Sequence, residues 1–362
     1  MKTGKERIEY LDLLKAIAII LVVFCHRVTL SADTVLGNVI MIIAWAAVPN
    51  FFFVTGGLMH QAKTWDWKKY WKKILRAYVV VCIWKLIYLV FYCSFRDITF
   101  STTELVRYLF VFGNISGVVT GHLWFMYAYL MVHLFYPVSW FLFRDKQEGQ
   151  RILGIVAVIL FVGTFLVKAG NFAFELISDT MGIGRLEVSV TEVFPFGTYA
   201  NMLFFFIVGA FLFEYREKIK DVMKKRHLNT WLPVTLLLVG TAGLLFVKYR
   251  ATGTFTWHDT YLEDGYNRLM TVVLSLGMYL LILNLPVHKA GKFLAKWVGT
   301  NTMGIYYLHV PLLVYCQINL SSYYKEYYSL GCNVLKTLIA LLICTGITLV
   351  IKRIPVLKTL VK

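Results

Sequence analysis

The stretch YLDLLKAIAIILVVFCH, residues 10–26, decides the fold of this chain. Its middle is as apolar as a membrane-crossing helix, yet Asp12 and Lys15 lie at one end and His26 lies at the other. Ionisable groups are costly to bury in hydrocarbon, so a helix that carries them is expected to turn them towards a protein-lined cavity. The stretch therefore predicts a transmembrane helix with one functional face.

Helical spacing places these three side chains on one stripe. Lys15 and His26 are about three turns apart, and Asp12 is about four turns from His26. For Asp12 and Lys15 alone, a position at the membrane interface with the charged heads in water is the simpler explanation. His26 lies well inside the span, where a neutral imidazole can take a proton from a hydroxyl, so it is a candidate general base. Cys25 is expected to point about 100° away from His26, which makes a cysteine nucleophile a weak alternative.

The rest of the chain is equally apolar. Of its 362 residues, 59% are hydrophobic and only 16% are charged, whereas soluble domains carry roughly 25% charged residues. We therefore predict an all-α polytopic membrane bundle of about ten transmembrane helices that forms one integral-membrane domain over residues 1–362. The predicted spans are 10–30, 38–59, 77–95, 121–142, 152–169, 193–213, 230–247, 268–287, 299–319 and 335–352.

The charge distribution predicts an orientation and excludes some partners. The net charge is +17, and 25 of the 37 Lys and Arg fall at the two termini and in the connections on the same side of the membrane. By the positive-inside rule both termini are cytoplasmic, in a multi-pass protein of the plasma membrane. Nucleic acid is then an unnecessary explanation of the charge. The six cysteines form no CxxC pair, so we expect no metal.

Two further stretches carry polar groups beside predicted spans. Span 2 ends in FFFVTGGLMH, residues 51–60, where Thr55 is suited either to a ligand or to its own backbone. The next segment is basic and aromatic, which is typical of a helix lying on anionic lipid. Within it, Lys73 and Arg76 share one helical face and are candidates for a phosphate-rich ligand, whereas Lys68 and Lys69 are assigned to lipid.

Two more histidines lie in later spans. His122 and Trp124 are predicted at the outer end of span 4. Trp124 is ordinary at a membrane interface, whereas His122 is a candidate for binding an acceptor. His309 lies near the middle of span 9, and a second intramembrane histidine favours a proton-handling or substrate site, although His309 alone is also compatible with a structural role.

Taken in order, these stretches resemble the membrane-bound acyltransferase-3 family over nearly the whole chain. The family's first span carries a basic residue, ten intervening residues and a histidine, which correspond to Lys15 and His26. FFFVTGG resembles its FFxxSG-type motif, KILR (73–76) its RxxR, LWF (123–125) its LWF, and IYYLH (305–309) its late IYLLH-like stretch. Lysines at 15 and 73 replace favoured arginines, which keeps the charge but loses the bidentate grip on phosphate. The proline that often follows RxxR is absent.

The resemblance implies an O-acyltransferase that moves an acetyl group from cytoplasmic acetyl-CoA to a hydroxyl of an extracytoplasmic sugar or cell-envelope polysaccharide. It implies that His26 is catalytic, as a general base or as an acyl carrier, and that Lys15, Lys73 and Arg76 lie near the CoA phosphates. Many relatives carry a secreted hydrolase-like domain, so transfer by this chain alone and transfer through a separate protein both stay open. The predicted site residues are His26, His309 and Asp12 for catalysis, Lys15, Lys73 and Arg76 for the donor, and His122, Trp124 and Thr55 for the acceptor.

Two other classes of protein fit part of this pattern. Intramembrane His and Lys also suit a proton-coupled transporter or a flippase of a polar lipid-linked substrate. Against it, the sequence shows no inverted repeat and no pair of interrupted spans. A membrane sensor that binds CoA or a glycan without turnover is the third possibility. The expected partners are acetyl-CoA, the carbohydrate acceptor and the lipid bilayer, with the acyl group, the acceptor and the oligomeric state left open.

Overall fold

A computed structural model describes residues 7–26, 34–184, 187–188, 199–255, 265–319 and 330–361. These residues form helices and connections and contain no β-strand, which confirms the predicted all-α class. Fifteen α-helices lie in the described ranges. They are α1 (Glu9–Cys25), α2 (Val35–Ala44), α3 (Ala47–Met59), α4 (Trp67–Cys93), α5 (Thr102–Phe110), α6 (Trp124–Arg144), α7 (Glu148–Phe161), α8 (Val167–Met181), α9 (Ala200–Glu214), α10 (Arg216–Lys225), α11 (Trp231–Thr252), α12 (Leu269–Asn284), α13 (Lys289–Leu294), α14 (Thr302–Asn319) and α15 (Leu330–Arg353).

Six helical stretches in this part of the chain are long and apolar enough to cross a membrane, so the chain is a multi-pass membrane protein. A seventh results if α12 and the helical segment after it, bent by 113°, form one broken span. Each of the ten predicted spans overlaps a helix, but the number ten and the cytoplasmic termini stay predictions. Residues 27–30 and 193–198 of two predicted spans lie outside the described ranges. The six stretches are Val35–Met59, Trp67–Cys93, Gly121–Arg144, Glu148–Met181, Trp231–Thr252 and Leu330–Arg353.

Local sequence signals explain where several helices begin and end. The carboxylate of Asp66 caps α4, so the basic segment forms one continuous helix with the third predicted span. Ser101 and Glu104 form a capping box at the start of α5. The bonds that the Glu104 carboxylate accepts from the backbone N–H and hydroxyl of Ser101 lower its pKa. Gly182 and Gly253 adopt positive φ angles and end α8 and α11.

The contacts of the chain group it into two compact units. Unit 1 contains Met1–Val22, Ser31–Ala62 and Phe135–Gly299. Unit 2 contains Val23–Leu30, Lys63–Leu134 and Thr300–Lys362. Helices α1 and α6 each contribute residues to both units. The predicted single domain over residues 1–362 stays a prediction.

Unit 1 is packed around closely approaching helices. A Cβ atom on Gly56 of α3 would collide with the carbonyl oxygen of Phe206 in α9, and one on Gly209 would collide with the backbone of Phe53. Glycine at these positions lets the two helix backbones approach, as the two consecutive glycines of span 2 suggest. The unit also buries the ammonium group of Lys248, which donates to Asn38 Oδ1 at 2.8 Å.

Unit 2 is packed around aromatic side chains from α4 and α14. Trp84 stacks on Tyr307 with ring centroids 4.9 Å apart and an interplanar angle of 7°. The indole N–H of Trp84 donates to the carbonyl of Leu360, which ties the C-terminal turn to α4. Tyr88 and Tyr108 are fully buried beside these rings. These contacts hold the middle of α14, and with it His309, in a fixed position within the unit.

Candidate functional site

Three histidines from separate parts of the sequence meet in unit 2. His26 lies one residue after α1, His122 lies in a single 3₁₀ turn before α6, and His309 lies in the middle of α14. The ring centroids are 4.9 Å apart for His26 and His309, 5.5 Å for His122 and His309, and 6.2 Å for His26 and His122. The rings are nearly perpendicular. The sequence selected all three residues, and the structure brings them into one group, called here the histidine cluster.

His309 is completely buried, and its tautomer follows from its hydrogen bonds. Its Nδ1 atom lies 2.7 Å from the carbonyl oxygen of Tyr306 and 3.1 Å from that of Ile305. A carbonyl can only accept, so Nδ1 carries the hydrogen and Nε2 of the neutral ring carries a lone pair. Nε2 is buried and has no hydrogen-bond partner. A basic nitrogen is thus held inside the unit without a partner in the folded chain.

His122 is held in the opposite tautomer. Its Nε2 atom lies 3.2 Å from the hydroxyl oxygen of Tyr88, and that hydroxyl donates its only hydrogen to the carbonyl of Tyr307 at 2.5 Å. Nε2 must therefore donate to Tyr88, which leaves the lone pair on Nδ1. Nδ1 is buried without a hydrogen-bond partner. The hydroxyl of Tyr306 donates to the backbone carbonyl of His122 at 2.8 Å and fixes the turn.

His26 is the exposed member of the cluster. Its Nδ1 atom lies 3.6 Å from Cys25 Sγ. The sequence predicted that Cys25 points away, because it assumed a helix that continues through His26. The structure ends α1 at Cys25, so helical geometry no longer separates the two side chains. The thiol is therefore a neighbour of the imidazole.

The arrangement is suited to accepting, holding and returning one proton. A substrate reaches the exposed His26 first, because His122 is only 7% exposed and His309 is not exposed at all. Each buried ring presents one unpartnered lone pair inside the unit. Lone pairs in a desolvated environment stabilise an N–H cation close to them. An imidazolium at His26 therefore has two neutral bases against its ring.

Asp12 and Lys15 pair with each other in unit 1. Lys15 Nζ lies 2.6 Å from Asp12 Oδ1, and the Arg7 guanidinium lies 3.8 Å from the other carboxylate oxygen. This ion pair gives the Asp12 carboxylate a partner within its own helix. The catalytic role of Asp12 and the donor-binding role of Lys15 stay predictions.

Lys73 and Arg76 lie on an exposed part of α4 in unit 2. Within the described ranges, neither side chain makes a hydrogen bond or an ion pair, so both charges are open to a ligand. Lys68 and Lys69 are also exposed, so exposure alone does not separate a donor pair from a lipid-facing pair.

His133 is a residue that the sequence analysis missed. It is 1% exposed in α6, its Nδ1 atom bonds to the carbonyl of Tyr129 at 2.9 Å, and its Nε2 atom is buried without a partner. A histidine within the apolar run YAYLMVHLF is the signal that would have identified it. Tyr88, which holds His122, had no comparable signal in the spacing.

The two remaining predicted acceptor residues, Thr55 and Trp124, lie outside the histidine cluster. The hydroxyl of Thr55 donates to the carbonyl of Phe51 at 2.8 Å, which is the second of the two alternatives for this residue. Trp124 opens α6 in a half-buried position. In the described part of the chain, no group of three or more His, Cys, Asp or Glu side chains is placed to hold a metal ion.

Comparison with known proteins identifies one family. The family model of an acyltransferase domain, acyltransferase family 3, matches residues 8–353. The match extends from the first residues before α1 to the end of α15, and it includes the whole histidine cluster. No curated protein and no solved structure matches the chain.

Proposed function

We propose that this chain, which belongs to acyltransferase family 3 and is a membrane acyltransferase, moves an acetyl group from cytoplasmic acetyl-CoA to an extracytoplasmic hydroxyl. The acceptor class is a sugar or a cell-envelope polysaccharide, and the location is the plasma membrane. The observation that carries the proposal is the histidine cluster, in which an exposed imidazole lies against two buried bases.

His26 acts as the general base in this proposal. An imidazole nitrogen of His26 takes the proton of the acceptor hydroxyl as that oxygen attacks the carbonyl carbon of the thioester. The C–S bond breaks, and the departing CoA sulfur receives the proton from the imidazolium. The lone pairs on His309 Nε2 and His122 Nδ1 stabilise the imidazolium while it exists. Their role is to position and support His26 rather than to contact the donor.

A covalent route uses the same residue. His26 attacks the thioester carbonyl, the C–S bond breaks, and the CoA thiolate takes up the proton released from the imidazole ring. The acceptor oxygen then attacks the acyl carbon, the C–N bond breaks, and the proton of the acceptor hydroxyl goes to the freed imidazole nitrogen. The thiol of Cys25, at 3.6 Å from His26 Nδ1, is the competing nucleophile. An acetyl group trapped on His26 would indicate an acyl-imidazole intermediate, whereas one trapped on Cys25 would indicate that the thiol is the nucleophile.

The donor and acceptor contacts follow from charge and position. Lys73 and Arg76 have no partner in the described residues and suit the CoA phosphates. Lys15 is the third donor residue, although its ammonium is already paired with Asp12. The sequence-predicted acceptor contacts are His122, Trp124 and Thr55, and they would bind groups of the acceptor other than the hydroxyl that loses its proton to His26.

The test is His26→Ala at matched expression, measured by CoA release and by the mass of surface glycans. We expect acetyl transfer to fall by about 100- to 10,000-fold, the range typical of general acid–base catalysis. The matched control is His288→Ala, because His288 is an exposed histidine of unit 1, and this variant should keep full activity. Cys25→Ala should also retain activity.

Turnover of the His26→Ala variant near the wild-type rate would eliminate the proposed base. Loss of activity in Cys25→Ala alone would move the nucleophile to the thiol. An unchanged glycan mass together with measurable CoA release would overturn the acceptor class but not the enzymatic activity.

A further inference from the structure

Unit 1 contains a cavity of about 220 Å³ that the acyltransferase chemistry does not use. Its walls are mostly apolar, and two cationic side chains, Lys168 and Arg268, complete them. Phe172 and Phe246 meet edge to face on one wall, with ring centroids 6.0 Å apart and an interplanar angle of 83°. The cavity thus combines a hydrocarbon-like wall with positive charge.

Arg268 is the residue that points to a ligand. It lies immediately before α12, and its Nε atom is buried without a hydrogen-bond partner. Within the described ranges, its guanidinium makes no side-chain hydrogen bond and no ion pair. A half-buried guanidinium without partners is unfavourable in the isolated fold, and phosphate oxygens match its fork of donors. The side chain therefore fits an anion that the described residues do not supply.

The positions of the two cations place the cavity at a membrane surface. Arg268 directly precedes the apolar helix α12. Lys168 follows Arg151 by 17 residues without a charged residue between them. That distance is about 26 Å of helix rise, close to the roughly 30 Å thickness of the hydrocarbon core. Lys168 and Arg268 line one cavity and therefore lie at the same headgroup level.

We propose that this cavity binds an anionic phospholipid, with its phosphate on Arg268 and Lys168 and part of one acyl chain against Phe172 and Phe246. The volume exceeds the roughly 150 Å³ that accommodates benzene in an apolar cavity, so it has room for a segment of one chain rather than a whole lipid. An arginine that merely extends into water is the simpler alternative. It does not account for an Nε atom buried beside an aromatic wall.

Thermal unfolding of the full chain in a neutral detergent tests the proposal. We expect phosphatidylglycerol to raise the Tm more than phosphatidylcholine with the same acyl chains, because a lipid that binds the folded state stabilises it. Glycerol phosphate, which has the anion without the chain, should not raise the Tm. In Arg268→Gln, the difference between the two lipids should shrink, and native mass spectrometry should detect one bound phosphatidylglycerol fewer.

The matched control is Arg151→Gln, an exposed arginine of the same unit, which should keep the lipid preference of the wild type. Lys168→Gln is the second variant if Arg268→Gln fails to fold, and it should lose part of the preference. Equal effects of both lipids on the wild type, an unchanged preference in both cavity variants, or equal stabilisation by glycerol phosphate would overturn the proposal. Acyl transfer is not measured, so failure here leaves the proposed function untouched.

Discussion

Both units bury a histidine in an apolar environment, but they leave it in different chemical states. In unit 1, His60 is 3% exposed, its Nδ1 bonds to the carbonyl of Gly56 at 2.8 Å, and its Nε2 bonds to Ser139 Oγ at 3.1 Å. In unit 2, His309 bonds through Nδ1 to the carbonyl four residues earlier in the same way, but its Nε2 has no partner. The local helical pattern is the same, and only the tertiary surroundings differ.

This difference supports a structural role for His60 and the proposed chemical role for His309. Buried polar groups in folded proteins are nearly always hydrogen-bonded, and leaving one unpaired costs about 1–3 kcal/mol. His60 obeys this rule and needs no function. His309 and His122 each have a buried ring nitrogen without a hydrogen-bond partner among the described residues. Their ring centroids lie 5.5 Å apart, and His26 lies against both rings. Two such nitrogens in one place support the proposed role of the histidine cluster.

The same contrast holds for the positive charges that the sequence assigned to the donor. In unit 1, Lys15 is neutralised by Asp12 at 2.6 Å. In unit 2, Lys73 and Arg76 make no hydrogen bond or ion pair with described residues. The satisfied side chains in each comparison therefore belong to unit 1, and the open ones belong to unit 2.

The largest expected effect comes from replacing the two buried histidines by glutamine. His309→Gln should reduce acyl transfer by about 10- to 100-fold and leave the Tm close to the wild-type value, because it removes the basic nitrogen that supports the charged form of His26, and a hydrogen bond to a charged group contributes about 1.5–3 kcal/mol. His60→Gln should lower stability by about 1–3 kcal/mol, because its two buried hydrogen bonds are disturbed, and should leave turnover per folded molecule unchanged. Thermal unfolding and CoA release on the same preparations measure both quantities.

The reverse pattern would break the comparison. If His309→Gln mainly destabilises the chain and the folded fraction remains active, His309 is a core residue like His60. The histidine cluster would then reduce to His26 and His122, and the support for the proposed base would be weaker.

Much of this fold follows from the sequence, because apolar length and helical period are local properties. Each predicted span overlaps a helix. The spacing in α1 also selected His26. The meeting of His26 with His122 and His309 is not local, since about 100 and about 280 residues separate them along the chain, and no helical period extends that far.

Two parts of the site were missed for identifiable reasons. The contact between Cys25 and His26 depends on α1 ending one residue before His26, whereas the predicted span continued to residue 30, and helix boundaries are the least predictable feature of a sequence. Tyr88 fixes the tautomer of His122 because its hydroxyl already donates to the carbonyl of Tyr307 and can only accept a hydrogen bond from His122. Both contacts are tertiary, so no local sequence pattern predicts them.

An intermediate effect is expected from the hydroxyl partners of the two histidines. Tyr88→Phe removes the acceptor of His122 Nε2–H, so the ring is no longer held in one tautomer. One such bond contributes about 0.5–1.5 kcal/mol, so the acetylation rate should fall by about two- to twelvefold. The pH dependence of the rate should shift as well, which a purely structural role would not cause. Ser139→Ala, the matched change at His60, should alter stability without altering the pH profile.

The smallest expected effect concerns the open cations of unit 2. Replacing Lys73 and Arg76 together by glutamine should raise the KM for acetyl-CoA by about twofold, because exposed charges at the low end of the usual range contribute about 0.2 kcal/mol each. The effect should decrease at high salt, which screens exposed charges. Lys68→Gln with Lys69→Gln is the matched control in the same helix, and its KM should remain close to the wild-type value. Lys15→Gln should change the KM less than the Lys73 and Arg76 pair, because Asp12 already neutralises its charge. Equal sensitivity of both pairs in α4 would indicate a diffuse basic surface instead of a donor site.

Lys73→Arg should lower the KM for acetyl-CoA, because a planar guanidinium binds phosphate through two hydrogen bonds, whereas an ammonium acts as a single charge.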